Sequence, residues 1–249
     1  MTLRSTGSGV PILWIHGLGE SSLCFERFVT QPDFDEYQHW LIDLPGYGRS
    51  QWAEPLKLAK LAQALDPVLR RLNKPVVVGH SMGGVLAIML AEMCRSDLLR
   101  AVVNIEGNVS PEDCQYSGQV VSWSLREFMK TGHGLLLEGL YQQGQDDAAH
   151  RGYFVSMRLA QPEMVYRHSQ DLVEISETEG LVGRMESLKT PLLYLAGTPN
   201  GVSAHSLKLL DQSGLKVRRI DGSGHWPFID QPEKCARVLS RWFGELRLS

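Results

Sequence analysis

The chain has 249 residues, of which 43% are hydrophobic and 21% charged, and its 25 basic and 28 acidic side chains give a net charge of −3 at pH 7. This composition is typical of an ordinary globular protein and excludes a disordered or collagen-like chain. Neither sign of charge is gathered into a long block, so nothing indicates binding to nucleic acid or to an anionic membrane. We expect a small-molecule partner and no nucleic acid.

A membrane span is not expected either. The longest uncharged stretch, residues 75–91, contains three glycines and is shorter than the roughly 18 apolar residues that a spanning helix needs. Residues 1–9 are polar and lack the apolar segment of a secretory signal, which argues against export. The four cysteines, Cys24, Cys94, Cys114 and Cys235, are far apart, as free thiols in a reducing compartment would be. We therefore expect a cytoplasmic protein.

Short runs of Val, Ile and Leu alternate with amphipathic segments, a pattern typical of a mostly parallel sheet with helices on both faces. The predicted strands are residues 10–15, 40–42, 76–78, 101–105, 192–195 and 215–220. Helices are predicted at residues 56–72, where leucines recur on one stripe, and at residues 85–93. The sequence thus predicts an α/β fold with about six or seven strands.

The alternation stops after residue 106. Residues 107–187 contain no convincing strand, but helical periodicity is present at 120–129, 148–159 and 164–175. No linker-like composition separates this segment from the rest. We therefore predict a single domain in which residues 1–106 and 188–249 form the core and residues 107–187 form an inserted helical cap.

Ser81 is the candidate nucleophile. It lies in Gly79-His80-Ser81-Met82-Gly83, a G-x-S-x-G pattern that directly follows one predicted strand and precedes a predicted helix. A sharp strand-to-helix turn of this kind exposes the serine hydroxyl, and the two glycines leave room for it. The pattern by itself also fits a tight glycine-rich turn with an inert hydroxyl.

Three further segments follow predicted strands in a recognisable order. They are His16-Gly17-Leu18-Gly19, Asp43-Leu44-Pro45-Gly46-Tyr47-Gly48-Arg49-Ser50 and Gly222-Ser223-Gly224-His225. Together with the Ser81 turn, they make the chain from about residue 10 onward, apart from the cap, resemble the α/β-hydrolase family. The resemblance implies a serine hydrolase in which the backbone amides of Leu18 and Met82 form the oxyanion hole. It also disfavours dehalogenation and epoxide opening, since relatives with those activities have Asp at the position of Ser81.

His225 is the candidate general base, because its glycine-rich loop follows the last predicted strand and can reach a serine at the same edge of the sheet. His16 and His80 adjoin the motif backbone and are expected to brace the loops. The other five histidines are expected at the surface: His39, His133, His150, His168 and His205.

The acid departs from the commonest pattern of the family. The stretch that usually supplies an Asp here ends in Asn200, which carries no charge. Glu106, 25 residues after Ser81 and directly after a predicted strand, occupies the alternative location used by some relatives, and it is our candidate acid. The alternatives are that Glu106 faces solvent or pairs with an arginine, and that Asp221 is the acid.

The expected activity is hydrolysis of a small to medium carboxylic ester, or a related acyl substrate, through an acyl-Ser81 intermediate. The alternatives are cleavage of a carbon–carbon bond, acyl transfer to an acceptor other than water, and a ligand receptor of hydrolase fold that retains its triad. The cap is rich in aromatic residues and methionine, and we expect Trp123 of the cap to line the substrate pocket, together with Trp226, which adjoins His225. The spacings of His and Cys give no metal-ligand set and no phosphate-binding loop is present, so neither a metal nor another cofactor is expected. The oligomeric state is left open.

Overall fold

The computed structural model describes residues 1–93 and 98–247. Seven strands form one sheet in the order β1-β3-β2-β4-β5-β6-β7. Strand β1 pairs with β3 in the antiparallel direction, and the other neighbouring strands are parallel. The strands are β1 (Thr2–Thr6), β2 (Val10–Ile15), β3 (Tyr37–Asp43), β4 (Val76–His80), β5 (Ala101–Ile105), β6 (Leu192–Asn200) and β7 (Lys216–Gly224). The predicted α/β fold with a mostly parallel sheet of six or seven strands is confirmed.

Strand β1 was not expected from the sequence. Its residues are partly exposed and mostly polar, so they do not form the apolar run that marks a central strand. Strands β6 and β7 also extend beyond the predicted residues, because they stay paired as far as Asn200 and Gly224 across an irregularity after Thr198. This extension brings the start of the His225 loop close to the end of β6.

Helices α1 (Leu58–Leu72) and α2 (Met82–Met93) lie in the first half of the chain. The leucine stripe of α1 is buried, as its amphipathic pattern predicts. Helix α2 begins three residues before the predicted start, immediately after Ser81, and residues 82–91 of it are buried. Glycine at position 83 allows this close packing, because a Cβ there would lie 2.2 Å from the carbonyl oxygen of Ile15. The first turn of α2 therefore packs directly against the end of β2.

A helical segment is inserted between β5 and β6. Its helices are α3 (Gln115–Val121), α4 (Leu125–Glu127), which continues as a π-helical turn over Phe128–Gly132, α5 (His133–Gln143), α6 (Ala148–Met157), α7 (Pro162–Glu177) and α8 (Leu181–Glu186). The helix expected over residues 120–129 is divided, because Ser124 caps a new helix start through a reciprocal hydrogen bond with Glu127. The limits of the cap at residues 107 and 187 stay a prediction.

After β6 the chain forms α9 (Ala204–Gln212), and after β7 it forms the short α10 (Pro227–Asp230) and α11 (Pro232–Glu245). No helix within residues 1–93 and 98–247 is long and apolar enough to cross a membrane. Cys24, Cys114 and Cys235 are free thiols, as expected, whereas Cys94 lies outside the described residues.

Two of the histidines expected at the surface, His39 and His168, are buried, so that prediction was wrong for them. Each imidazole has hydrogen-bond partners on both ring nitrogens, which removes the cost of burying it. His39 accepts from the indole of Trp14 at 3.0 Å and faces the Phe34 carbonyl. His168 contacts the Tyr47 hydroxyl at 2.8 Å, which ties α7 to the core, and burial lowers the pKa of His168 to about 4.

Candidate active site

Ser81 occupies a strained turn between β4 and α2. Its φ of +51° is a left-handed value that few residues other than glycine adopt. The turn is held by a hydrogen bond from the Ser81 amide to the Ile105 carbonyl at 2.8 Å. A Cβ at Gly79 would lie 2.0 Å from the carbonyl oxygen of Gly83, so both motif glycines are needed for close backbone packing. Ser81 is partly exposed while His80 and Met82 on either side of it are buried.

His225 and Glu106 form a hydrogen-bonded pair beside this turn. Nδ1 of His225 lies 3.2 Å from Oε2 of Glu106, whose side chain is fully buried. The other carboxylate oxygen, Oε1, accepts a hydrogen bond from the Gly197 amide at 2.6 Å. Because a carboxylate only accepts, the pair places the ring proton on Nδ1 and leaves Nε2 of His225 with a free lone pair. Ser81 and His225 line the same pocket.

Glu106 therefore faces His225, neither solvent nor an arginine. Asp221, the other candidate for the acid, is exposed, and so is Asn200. Asp221 accepts a hydrogen bond from the Thr198 hydroxyl at 2.7 Å. Within the described residues, neither Asn200 nor Asp221 has a side-chain hydrogen bond or an ion pair with His225. Glu106 is thus the carboxylate that the geometry brings to the histidine.

The loop that carries Leu18 runs close to Ser81. A Cβ at Gly17 would come within 3.1 Å of the Ser81 Cβ. Over residues 1–93 and 98–247, the backbone amides of Leu18 and Met82 donate to no other group, although both residues are buried. Met82 is also the first residue of α2, where the helix dipole favours negative charge. Two unused amide donors beside a serine hydroxyl are suited to bind an oxyanion.

A buried carboxylate lies beneath these loops and was not singled out from the sequence. Glu20 is buried, and its Oε2 accepts from the Gly17 amide at 2.6 Å and faces Nδ1 of His80 at 2.8 Å. Its Oε1 accepts from the indole of Trp226 at 2.6 Å. Nε2 of His80 lies 2.7 Å from the carbonyl oxygen of His225. His80 thus braces a loop, as the sequence predicted, but it does so together with Glu20.

The space above Ser81 is small. The pocket that Ser81 and His225 line has a volume of about 40 Å³, and Tyr116, Tyr153 and Trp226 form part of its wall. A second cavity of about 660 Å³ adjoins it and shares Glu20, Tyr153 and Trp226 with it. The sequence-predicted Trp226 therefore lines the site, whereas Trp123 lines neither of these two pockets. Among the residues that the structure describes, no cluster of His, Cys, Asp and Glu could hold a metal ion.

The mostly parallel sheet, the helical insertion between β5 and β6 and the strained serine at the end of β4 define the α/β-hydrolase class of fold. Residues 12–238 match the alpha/beta hydrolase family, and the chain belongs to that family.

Similar proteins agree with this assignment. An esterase of Mycobacterium tuberculosis is 25% identical, with 95% of this chain and 84% of that protein covered. A pimeloyl-[acyl-carrier protein] methyl ester esterase of Vibrio vulnificus is also 25% identical, with coverage of 95% and 96%. Among solved structures, a thermophilic esterase from Thermogutta terrifontis superposes with a TM-score of 0.79 at 21% identity, with 98% and 93% of the two chains covered. The protein is an esterase-like alpha/beta hydrolase.

Proposed function

We propose that this protein is a serine esterase that cleaves small to medium carboxylic esters through an acyl-Ser81 intermediate. The observation that carries the proposal is the Glu106–His225 hydrogen bond of 3.2 Å next to a serine held at a positive φ. A serine hydroxyl is a weak nucleophile at neutral pH, and a histidine of the correct tautomer activates it. The esterase names of the relatives support an ester as the substrate.

In the acylation step, Nε2 of His225 accepts the hydroxyl proton as the Ser81 oxygen attacks the carbonyl carbon of the ester. Negative charge develops on the carbonyl oxygen and is stabilised by the amides of Leu18 and Met82, a contribution of roughly 2.7 to 4 kcal/mol for each donor. Glu106 keeps the ring oriented and balances the charge of the imidazolium. When the intermediate collapses, His225 gives its proton to the leaving alcohol, and the acyl group stays on Ser81.

Deacylation repeats these steps with water. His225 takes a proton from the water molecule as its oxygen attacks the acyl carbon, and the carboxylic acid leaves when the proton returns to Ser81. Each proton taken by His225 is given back, so the enzyme ends in its starting state. No residue outside this set needs to change its charge.

The pocket volumes support a small group next to Ser81. A volume of about 40 Å³ holds little more than one or two water molecules. The adjoining cavity of about 660 Å³ has apolar side chains such as Phe28, Val155 and Phe228 in its wall, and it falls in the size range of small-molecule sites. We assign the bulkier, apolar part of the ester to this cavity, on the far side of Tyr153 and Trp226.

The proposal is tested with p-nitrophenyl esters of increasing acyl length, assayed with the wild type and with Ser81→Ala. We expect short esters to be hydrolysed by the wild type, and the Ser81→Ala rate to fall by a factor of about 10⁴ or more, as for other serine hydrolases that lose the nucleophile. Ser117→Ala is the matched control, because Ser117 lines the same pocket and should keep most of the activity. Equal loss in both variants, or hydrolysis that survives in Ser81→Ala, would contradict the proposal.

A further inference from the structure

Glu20 connects the three loops that carry the proposed catalytic groups. Its carboxylate contacts the amide of Gly17, the ring of His80 and the indole of Trp226, at 2.6 to 2.8 Å. Each of these residues is a direct neighbour in the chain of a group assigned to catalysis: Leu18, Ser81 and His225, respectively. His80 is the last residue of β4 and pairs with Ile105 of β5, whereas Gly17 and Trp226 lie beyond the ends of β2 and β7, so no strand pairing connects these two residues to His80. The carboxylate supplies that connection.

The hydrogen-bond partners also determine where the protons are. Nε2 of His80 faces the His225 carbonyl, which can only accept, so Nε2 is protonated. Nδ1 faces Oε2 of Glu20, and the carboxylate also receives the Gly17 and Trp226 donors. A carboxyl group that meets three donors is stabilised as the anion. His80 is then an imidazolium that donates from both nitrogens.

The charges around the pair support this assignment. Burial by itself would raise the pKa of Glu20, but the charge of His80 and the hydrogen bonds from His80, Trp226 and Gly17 lower it to about 2. Burial opposes protonation of His80, yet Glu20, the His225 carbonyl and the charge of Glu106 together raise the pKa of His80. The two side chains are 1% and 3% exposed, so solvent screens their attraction little.

We propose that Glu20 and His80 are positioning residues for the esterase reaction, acting as a buried carboxylate–imidazolium pair that holds the Leu18 amide, Ser81 and His225 in one arrangement. The inference rests on the proposed function. Hydrogen bonds to charged groups are stronger than neutral ones, which suits a contact that must fix loops from distant parts of the chain. The His80 and His225 rings lie 4.8 Å apart between centroids, so a shift of the pair moves the general base directly.

Glu20→Gln tests the pair with little change in shape. A Gln side chain has one acceptor oxygen and an NH2 group, so it cannot accept from both the Gly17 amide and the Trp226 indole, and one buried donor loses its partner. We expect kcat for a short ester to fall by about 10- to 100-fold, the size of effect that a misplacement of about 1 Å produces, while KM changes less than about threefold. Labelling of Ser81 by a fluorophosphonate should slow by a similar factor but still go to completion.

His39→Gln is the matched control. His39 is also a buried histidine bonded through both nitrogens, but it lies among the aromatic side chains beside β2, away from the Ser81 pocket. We expect this variant to lose stability and keep its kcat. If Glu20→Gln is too unstable to assay, Glu20→Gln/His80→Phe replaces it, since the double variant leaves no unpaired buried charge, and the same fall in kcat is expected.

Nitrogen-15 NMR of the wild type measures the protonation state of the His80 ring without any substitution. We expect His80 to show two protonated ring nitrogens near neutral pH, above the range in which an ordinary histidine loses its proton, and to become neutral in Glu20→Gln. A neutral His80 in the wild type, or a Glu20→Gln variant that folds and keeps its kcat, would overturn the inference. Failure of the proposed function is distinguishable, because the wild type would then neither hydrolyse esters nor react with the fluorophosphonate, whatever the charge of His80.

Discussion

Glu106→Gln keeps the shape of a fully buried side chain and removes its charge. The native carboxylate accepts two hydrogen bonds, from the Gly197 amide at 2.6 Å and from Nδ1 of His225 at 3.2 Å. A Gln side chain offers one acceptor and one donor group, so it can satisfy only one of these two donors at a time. The substitution therefore forces a choice between the backbone contact and the histidine contact.

Both orientations of the amide impair catalysis. If its oxygen accepts from Gly197, its NH2 group faces Nδ1 of His225, and the ring proton moves to Nε2, where the base can no longer accept the Ser81 proton. If the amide is reversed, the buried Gly197 donor is left unpaired, at a cost of about 1 to 3 kcal/mol. The imidazolium also loses a charged hydrogen bond that contributes about 1.5 to 3 kcal/mol. Together these effects raise the barrier by about 2.5 to 6 kcal/mol, which corresponds to a fall in kcat of about 10² to 10⁴.

The assay is steady-state hydrolysis of a short p-nitrophenyl ester, with circular dichroism to show that the variant is folded. Asn200→Ala is the control, because Asn200 is exposed and lies in the stretch where the family resemblance places the usual acid. We expect this control to stay within about twofold of the wild type, as is usual for exposed sites. A small loss in Glu106→Gln together with a large loss in Asn200→Ala would refute the assignment of the acid.

Three further predictions concern the same region. Gly201→Ala would place a Cβ 2.4 Å from Oε1 of Glu106 and displace the carboxylate. We therefore expect kcat to fall by about tenfold or more, and a folded variant with the wild-type kcat would contradict this. The pKa of Glu20 is lowered from 4.5 to about 2, so the contribution of Glu20 to stability is present above about pH 4.5 and is lost as the pH falls toward 2. The pKa of His80 is raised from 6.5, so the contribution of His80 is complete below pH 6.5 and is lost as the pH rises through the raised pKa. Below pH 4.5 and above pH 6.5, the free energy of unfolding in urea should therefore depend less steeply on pH in Glu20→Gln than in the wild type. An equal dependence in the two proteins would exclude the Glu20–His80 pair as the cause of the pH dependence. Tyr153→Ala removes part of the wall between the two pockets, so we expect kcat/KM for long acyl chains to rise relative to acetate. The expected rise is about tenfold, since a changed apolar contact contributes about 1 to 3 kcal/mol to specificity. An unchanged order of substrates would argue against the assigned cavity.

Much of the site could be predicted because parallel strands bring their carboxyl ends to one edge of the sheet. Ser81 follows β4 and Glu106 follows β5, so two neighbouring strands place them side by side. His225 follows β7, and the unexpected extension of β6 and β7 brings its loop toward Glu106. For Ser81 and Glu106 an apolar run that ends close to a polar residue was visible in the sequence, whereas His225 follows the mixed run of residues 215–220 and was identified from its glycine-rich loop.

Glu20 could not be identified in the same way. It follows Gly19 in a loop, and its partners His80 and Trp226 are 60 and 206 residues away in the chain. No periodicity or spacing encodes such a contact, and a charged residue in a loop is usually exposed. The same limit explains His39 and His168, whose burial depends on partners from other elements. The one local signal is that Glu20 stands three residues after Gly17, a spacing at which a Glu side chain can accept a hydrogen bond from a backbone amide.

The central claim is that Ser81 forms a covalent acyl intermediate, and mass spectrometry of the trapped enzyme tests it most directly. The protein is mixed with a short p-nitrophenyl ester and quenched in acid, or treated with a fluorophosphonate, and the modified peptide is sequenced. We expect one added acyl or phosphonyl group on Ser81, and none on the Ser81→Ala variant, because the Ser81 turn presents the hydroxyl to the pocket that His225 lines. A folded wild-type protein that hydrolyses the ester but carries the group on another residue, or remains unmodified by the fluorophosphonate, would contradict it.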